Sequence, residues 1–394
     1  MRMNPATTEL ARIFTNRFNQ NPRLFYAPGR INVIGEHTDY NDGFVMPFAI
    51  DRGVTIAVCK RNDNRLVVES LELGETAVVD LDQPEQCRRG TWLDYVEGVA
   101  RCIAKRGKKV VGTNVMIGST LPIGAGLSSS AALEVGLTLA LSGIAEDPID
   151  PIEVVRLAQE VEHRFVGTQS GIMDPYIAVF GQHDTCLLID CRTLQHRRIS
   201  ILGDVSFVVC DSGIKHQLAS SEYNRRKAQC VSGLQQIQKF FPRVTSLRDV
   251  EYSEFLRIEQ FISEPERRRC RHVITENQRT LEAAEAFERQ DFRSAGELMY
   301  ASHDSLRNDY EVSCDELDAL VDATRNRDRV FGARMTGGGF GGCTINLLPR
   351  EVDPEFEQFM SQAYTAKFGI RPAIFKVRAS DGAHEVNAIP KLRD

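Results

Sequence analysis

An α+β fold is predicted by two observations. The first half of the chain alternates strand-like and helix-like stretches, and the second half opens with a long block that is almost entirely helix-prone. A doubly wound sheet would keep strands and helices alternating to the end, so this segregation points to strands and helices in separate layers. No linker, low-complexity tract or internal repeat interrupts the chain, and the two halves are expected to pack closely.

Residues 25–60 read as short strands, with Asn41-Asp42-Gly43 as a hairpin turn because Asp-Gly accepts positive φ. Apolar Phe25, Ile31 and Val33 fall at alternating positions, which carries the first of these strands into the core. Helical spacing covers 92–105, a strand 111–119, and a helix 129–141 that is apolar almost all round and therefore buried. Asp150-Pro151-Ile152-Glu153 opens another helix, with Asp150 as cap, a proline first and a glutamate three residues after the cap. It ends at Gly167. Strands at 185–190 and 205–210, helices from 220 to about 326, and a strand with a glycine-rich loop over 335–348 precede a closing helix–strand stretch.

The 394 residues are 42% apolar and 26% charged, values that support an ordinary buried core. A net charge of −6 argues against nucleic acid or an anionic membrane as a partner. The basic run Arg267-Arg268-Arg269-Cys270-Arg271 lies in a Glu-rich helical stretch and reads as a solvated face. No segment approaches the roughly 18–20 apolar residues of a membrane span, and the N-terminus lacks the apolar core of a signal peptide. The ten cysteines are scattered, and the closest pair, Cys186 and Cys191, lacks zinc-site spacing. Reduced, buried thiols in a cytoplasmic protein are expected.

Five places could carry chemistry. Leu121-Pro-Ile-Gly-Ala-Gly-Leu-Ser-Ser-Ser-Ala-Ala-Leu133 is a glycine- and serine-rich turn entering an apolar helix. Gly124 and Gly126 let backbone approach an anion, and Ser128, Ser129 and Ser130 place hydroxyls and free amides at the positive end of the helix. No lysine follows the glycines, so this is a phosphate loop of a class other than Walker. Ala27-Pro-Gly-Arg-Ile-Asn-Val-Ile-Gly-Glu-His-Thr-Asp-Tyr40 gathers Arg30, Glu36, His37 and Asp39 beside a bend, a set suited to a polyhydroxylated ligand or to a charged surface loop.

On the helix 151–166, Glu162 falls on the face formed by Val154, Val155, Leu157, Ala158, Val161 and Phe165. A carboxylate there needs an ion-pair partner or a hard cation such as Mg2+. In Ser170-Gly-Ile-Met-Asp-Pro175, Asp174 is either a general base or a capping residue. Met335-Thr-Gly-Gly-Gly-Phe-Gly-Gly-Cys-Thr344 is either a ligand-facing loop or a buried tight turn. Gly337, Gly339 and Gly342 match the dinucleotide pattern, although a strand-like stretch follows where that motif needs a helix. The single tryptophan, Trp92, is either core or a wall for an adenine ring.

Together these segments resemble the galactokinase family of the GHMP sugar kinases, nearly end to end. The carriers are Pro28-Gly-Arg-Ile-Asn-Val-Ile-Gly-Glu-His-Thr-Asp-Tyr-Asn41, residues 124–133, Glu162-His163, Gly171-Ile-Met-Asp174, Ser221-Glu-Tyr-Asn224, residues 305–314 and residues 334–346. The resemblance implies a two-domain GHMP fold with the active site in the cleft between the domains. The first domain would span 1–200 and the second 201–394, the last twenty or so residues returning to the first. It implies transfer of the ATP γ-phosphoryl group to the C1 hydroxyl of galactose by a protein that is monomeric or weakly self-associating. Asp174 would take the hydroxyl proton, and Arg30 would pair with Asp174 and stabilise the phosphoryl charge. Glu36, His37, Asp39, Gly171 and Tyr223 would line the sugar. Gly124, Gly126 and Ser128 to Ser130 would cradle phosphates, Trp92 would sit against adenine, and Ser129 or Ser130 with Glu162 would hold Mg2+. Pro175 stands where the family has Gln, Ser170 where it has Cys, and Lys227 and Val231 where it has Arg and Glu. Three alternatives are a kinase for N-acetylgalactosamine or arabinose, a silent sensor that binds ATP and galactose, and a dinucleotide-dependent oxidoreductase.

Overall fold

The structure, a computed structural model, describes residues 5–122, 124–201, 205–215, 219–351 and 354–386. Its first half is built on a mixed six-stranded sheet. The strands are β1 (Arg23–Asn32), β3 (Pro47–Lys60), β4 (Arg65–Ser70), β5 (Glu75–Asp80), β6 (Thr113–Ser119) and β13 (His384–Val386), in the order β13-β1-β3-β6-β4-β5. The two faces of this sheet alternate residue by residue, as strand geometry requires. Phe25, Ile56, Val58, Val115 and Ile117 face one core, and Leu24, Ala57, Cys59 and Met116 the other.

Helix α1 (Pro5–Phe18) covers the second face with Leu10, Ala11 and Phe14. The first is covered by α3 (Ser129–Ile144), flanked by α2 (Leu93–Lys105), α4 (Pro151–Val161) and α5 (Met173–Phe180). The short β2 (Phe44–Val45) joins β7 (Thr185–Asp190) and β8 (Gln195–Ser200) in a three-stranded sheet.

The second half is a four-stranded antiparallel sheet, β10-β11-β9-β12, from β9 (Val205–Lys215), β10 (Gly332–Thr336), β11 (Gly341–Pro349) and β12 (Ala373–Val377). Around it lie α6 (Ala219–Ile237), α7 (Tyr252–Ile258), α8 (Glu266–Glu288), α9 (Phe292–Ser305), α10 (Asp315–Asp322) and α11 (Pro354–Phe368). The inward face of this sheet (Phe207, Val209, Ile345, Leu347) continues the core of the first half, and the Phe48 and Phe207 rings lie 5.0 Å apart. The opposite face (Val208, Cys210, Leu348) packs on Phe356, Met360 and Tyr364 of α11. Two domains thus share one hydrophobic core. β13 pairs antiparallel with β1, Leu24 opposite Val386, while residues 387–394 lie outside the described ones.

The strand and helix positions read from the sequence recur with three differences. Asn41-Asp42-Gly43 is not a hairpin turn: β1 pairs with β3 across a long excursion, and a Cβ at Gly43 would meet Asn277 Oδ1 of α8 at 2.4 Å, so the turn is shaped by a distant helix. Asp150 occupies the cap of α4 with Pro151 behind it, but its side chain makes no capping bond. Helices α1 and α5 and the strands β4, β5 and β8 lie in segments for which no element was predicted.

All ten cysteines are free, eight of them buried. Arg267, Arg268, Arg269 and Arg271 pair with Glu264, Glu311, Glu259 and Asp309, so the basic run is an ion-paired helix face. Among the described residues no helix is long and apolar enough to cross a membrane.

Candidate active site

Where β1 ends, the chain leaves the sheet and passes through Glu36, His37 and Asp39 before β2. Just before that exit, Arg30 points out of the sheet and grips Asp174 with both ends of its guanidinium, Nε to Oδ1 at 2.8 Å and Nη2 to Oδ2 at 2.9 Å. Such a bidentate pair fixes orientation as well as charge. The third Arg30 nitrogen, Nη1, donates to Gly126 O at 2.7 Å, and Ser128 Oγ donates to Asp174 Oδ2. Asp174 is the second residue of α5, where a carboxylate meets the positive end of the helix. Pro175 is the third, a first-turn position whose amide has no partner within the helix to lose, so the family departure there leaves α5 intact.

Asp174 and Arg30 stand at the junction of two cavities. The smaller, ≈160 Å³, is lined by Glu36, His37, Asp39, Glu162, Gly171 and Tyr223, with Thr168, Ser170 and Met173. It is well below the roughly 300–1,000 Å³ of pockets for drug-sized ligands and suits a single small polar molecule. Gly171 is dictated by a close approach: a Cβ there would lie 1.9 Å from Asp39 Oδ2. Its loop is clamped from behind, by His163 Nε2 at 2.9 Å from Ser170 O and by Asn224, whose Oδ1 accepts from Gln169 N at 2.8 Å and whose Nδ2 donates to Gly167 O at 3.1 Å. Burial and the nearby Asp174 carboxylate raise Asp39 to about 6. Burial, helped by the neighbouring His272 and arginines, keeps His37 neutral, with Nδ1 against Tyr40 OH at 2.7 Å and the backbone of Gly338 as a further neighbour of the ring.

Glu36 serves two ends. Its Oε2 accepts from Arg334 Nη1 at 2.8 Å and from Asn32 Nδ2, and its Oε1 from Gly337 N at 2.7 Å. Burial raises its pKa, while Arg334 and the Gly337 amide pull the other way. Glu36 therefore joins the β1 exit to β10 as well as lining the pocket. Arg334 was read only as the start of a motif; as an arginine inside a buried strand, it already signalled a buried carboxylate partner.

The larger cavity, ≈450 Å³, is lined by Gly124, Gly126, Ser128, Ser129, Ser130 and the glycines 338, 339, 341 and 342, with Tyr95 and Phe340. Gly124, Gly126 and Ser128 all have φ between +58° and +74°, a run that turns successive amides toward the cavity ahead of α3. Ile123, within this loop, lies outside the described residues. The glycine-rich turn between β10 and β11 presses on the loop from the other domain, since a Cβ at Gly337 would come within 2.9 Å of Gly126 O. β11 follows these glycines, so the strand–turn–helix of a dinucleotide site is absent there.

Ser130 and Glu162 line the smaller cavity side by side and are hydrogen-bonded to each other. Burial raises the Glu162 carboxyl to about 7. It opens a π-helical turn, Glu162–Val166, at the end of α4, which aims it across the helix stack. Two hard oxygen donors fit Mg2+, which takes few protein ligands and completes its shell with phosphate and water. No group of three acidic, His or Cys side chains capable of holding a metal by itself occurs among the described residues. Ser129 lines only the larger cavity, whereas Ser130 lines both.

Trp92 does not line either cavity. It precedes α2, is half-buried against the core, and donates from its indole to Glu75 Oε2 at 2.6 Å. The aromatic side chain of that segment that does line the larger cavity is Tyr95, three residues on.

The architecture, the phosphate-loop cavity and the Arg30–Asp174 junction define a GHMP kinase. Family models agree: the GHMP kinases N-terminal domain matches residues 94–182, the GHMP kinases C-terminal domain 283–365, and the galactokinase galactose-binding signature 12–60. The galactokinase of Roseiflexus sp. is 42% identical over 98% of this chain and 99% of its own length, and that of Thermotoga maritima 39% identical over 91% and 99%. The chain belongs to the galactokinase family. A crystal structure of Lactococcus lactis galactokinase complexed with galactose superposes with a TM-score of 0.92 at 33% identity, covering 96% of this chain and 99% of that one. Methanococcus jannaschii mevalonate kinase shares the fold at a TM-score of 0.65 and 19% identity, covering 92% and 99%.

Proposed function

We propose that this sugar kinase transfers the γ-phosphoryl group of ATP to the anomeric hydroxyl of galactose. The observation that carries the reading is the position of Arg30 and Asp174, shared by a polar pocket of ≈160 Å³ and a backbone-lined cavity of ≈450 Å³. One holds the acceptor, the other the triphosphate. Asp39, His37 Nε2 and Tyr223 supply the pocket's side-chain acceptors and donors, and different hydroxyls of a sugar can satisfy each. Galactose is favoured because the relative that superposes across nearly the whole chain is described in complex with it.

In the transfer, the acceptor hydroxyl passes its proton to Asp174 as its oxygen bonds to the γ-phosphorus. The bond from that phosphorus to the bridging oxygen breaks, and ADP leaves. Arg30 orients Asp174 and places positive charge beside the phosphoryl oxygens, while Ser128 Oγ holds Asp174 in line. Amides from 124–130 meet the remaining phosphate charge. Bound at Ser130 and Glu162, Mg2+ would neutralise phosphate charge and order the polyphosphate chain. Phosphoryl transfer depends mainly on positioning and charge stabilisation, so a modest base is sufficient. Trp92, outside the cavity lining, is left as a wall of the adenine approach.

The test is ADP release across a panel of free sugars with and without Mg2+. Mg-dependent turnover on galactose, with little on glucose, N-acetylgalactosamine or arabinose, is the expected result. Turnover on another sugar moves the substrate. Binding of ATP and galactose without turnover overturns the catalytic reading in favour of a sensor.

A further inference from the structure

Glu134 is the least explained buried acid in the molecule, its carboxyl pushed well above the usual carboxylate range by burial and by the neighbouring Glu162 and Asp174. It is fully buried in α3, and neither carboxylate oxygen has a hydrogen-bond partner among the described residues. The other fully buried carboxylates behave differently. Glu36 has Arg334, Asn32 and the Gly337 amide; Glu276 has Arg279, Ser302 and the Gly35 amide. An isolated carboxylate away from water is strongly disfavoured unless a positive charge or donors face it. Glu134 faces more acid instead: Glu162 and Asp174 are the charges that act on it, and Arg30, the cation beside them, is already engaged by Asp174.

The geometry says what is missing. Glu134 lies one helical turn after Ser130, so both project from the same face of α3, a helix that packs against α4, which leads into Glu162, and against α5, which carries Asp174. Glu134 thus lies within electrostatic reach of Glu162 and Asp174, one turn from Ser130, which opens into both cavities. Glu134 itself lines neither cavity. A hard divalent cation at Ser130 and Glu162 would keep most of its shell as water, and such waters are donors without equivalents in the protein here.

We propose that Glu134 is a positioning residue for the divalent cation, accepting hydrogen bonds from water in the cation's coordination shell and thereby setting how tightly the ion is held. This rests on the assignment of Ser130 and Glu162 as the cation site. Outer-shell partners of metal sites typically matter by about 10–100-fold in affinity.

The test is Mn2+ binding to the full chain with a non-hydrolysable ATP analogue, read as free Mn2+ by electron paramagnetic resonance. Glu134→Gln keeps the shape and loses no hydrogen bond seen in the structure; Glu134→Met keeps roughly the volume without polar atoms. Both should raise the Mn2+ dissociation constant about 10–100-fold, leave metal-free nucleotide affinity within about twofold, and lose the Mn2+-induced rise in melting temperature. Mn2+ affinity within twofold of the parent in both variants, while Glu162→Gln loses it, overturns the role of Glu134 alone. Unchanged affinity in the Glu162 variant as well overturns the cation site first and the proposal with it. A variant that melts lower but binds Mn2+ normally assigns Glu134 a purely structural role and likewise overturns the proposal.

Discussion

The two cavities that meet at Asp174 are built from different materials. The acceptor pocket is walled by side chains whose positions depend on buried ion pairs and a clamped loop: Glu36 on Arg334, Asp39 against Gly171, Asn224 across Gln169. The phosphate cavity is walled by two glycine-rich loops, from residues 124–130 of one domain and 338–342 of the other. A neutral polyol is read hydroxyl by hydroxyl and needs acceptors fixed one at a time. A polyphosphate needs a field, which amides and a helix end supply without side-chain precision. The pocket should therefore fail through single contacts, and the phosphate cavity through changes in backbone shape.

The largest effect is expected at the junction, where neither binding mode is touched. Asp174→Asn keeps the size of the side chain and removes the proton acceptor. Turnover should fall by about 10²–10⁴-fold, the usual range for a general base, with ATP-analogue affinity nearly intact by calorimetry. Near-normal turnover would remove Asp174 from the chemistry. Next is the support beneath the acceptor pocket. Arg334→Met leaves Glu36 buried without its cation, and breaking a buried pair from one side costs about 3–5 kcal/mol. Urea unfolding measures the loss directly. Arg12, paired with Glu9 on the solvent face of α1, is the control, and its replacement should leave the urea midpoint almost unchanged.

Two glycine substitutions sharpen the contrast between materials. At Gly171 an added methyl collides with Asp39, an overpacking cost of about 1–3 kcal/mol. Gly171→Ala should raise the KM for galactose about tenfold or more and leave that for ATP unchanged. At Gly126 the added methyl meets only Thr336 O at 4.0 Å, but φ is +74°, so the cost is backbone strain of about 1–2 kcal/mol. Gly126→Ala should move the KM for ATP and spare that for galactose. Initial-rate kinetics with both substrates varied decides it, and a shared shift in both variants would show that the cavities are not separable.

The same difference governs what was legible in the chain. Backbone sites announce themselves locally: Gly124, Gly126 and the three serines before an apolar helix are contiguous, and periodicity found α3 and β9 as readily. The carboxylates of the acceptor pocket were visible because Glu36, His37 and Asp39 are close in sequence. Their supports were not. Arg334 lies 298 residues from Glu36, and Asn224 55 residues from Gln169. An arginine among the apolar residues of β10 signals that a carboxylate faces it, but not which one. Glu134 was not singled out although its helix was expected to be buried all round, and the structure buries it completely. Helix α1 was missed despite a legible signal, Leu10, Ala11 and Phe14 at helical spacing. Rarity drew attention to Trp92, while Tyr95, three residues on in α2, is the aromatic that lines the cavity.

The smallest effect, and the one most specific to a pocket made of side chains, is a pH dependence. Burial and Asp174 raise Asp39 from the ordinary 3.8 to about 6, so in the free enzyme it carries a proton below that pH and is a carboxylate above it. His37 is held neutral through the same range and contributes no competing step. An acceptor for sugar hydroxyls is therefore lost as pH falls through 6 and regained as it rises, and kcat/KM for galactose should show an acid limb with a midpoint near that value. The limb should be steepest at about tenfold per pH unit, the limit for one proton. Asp39→Asn is the check. It lowers kcat/KM at neutral pH and flattens the limb, because the group that titrated has gone. A limb that survives in this variant at the same midpoint would move the titration to another group and leave Asp39 a packing partner of Gly171.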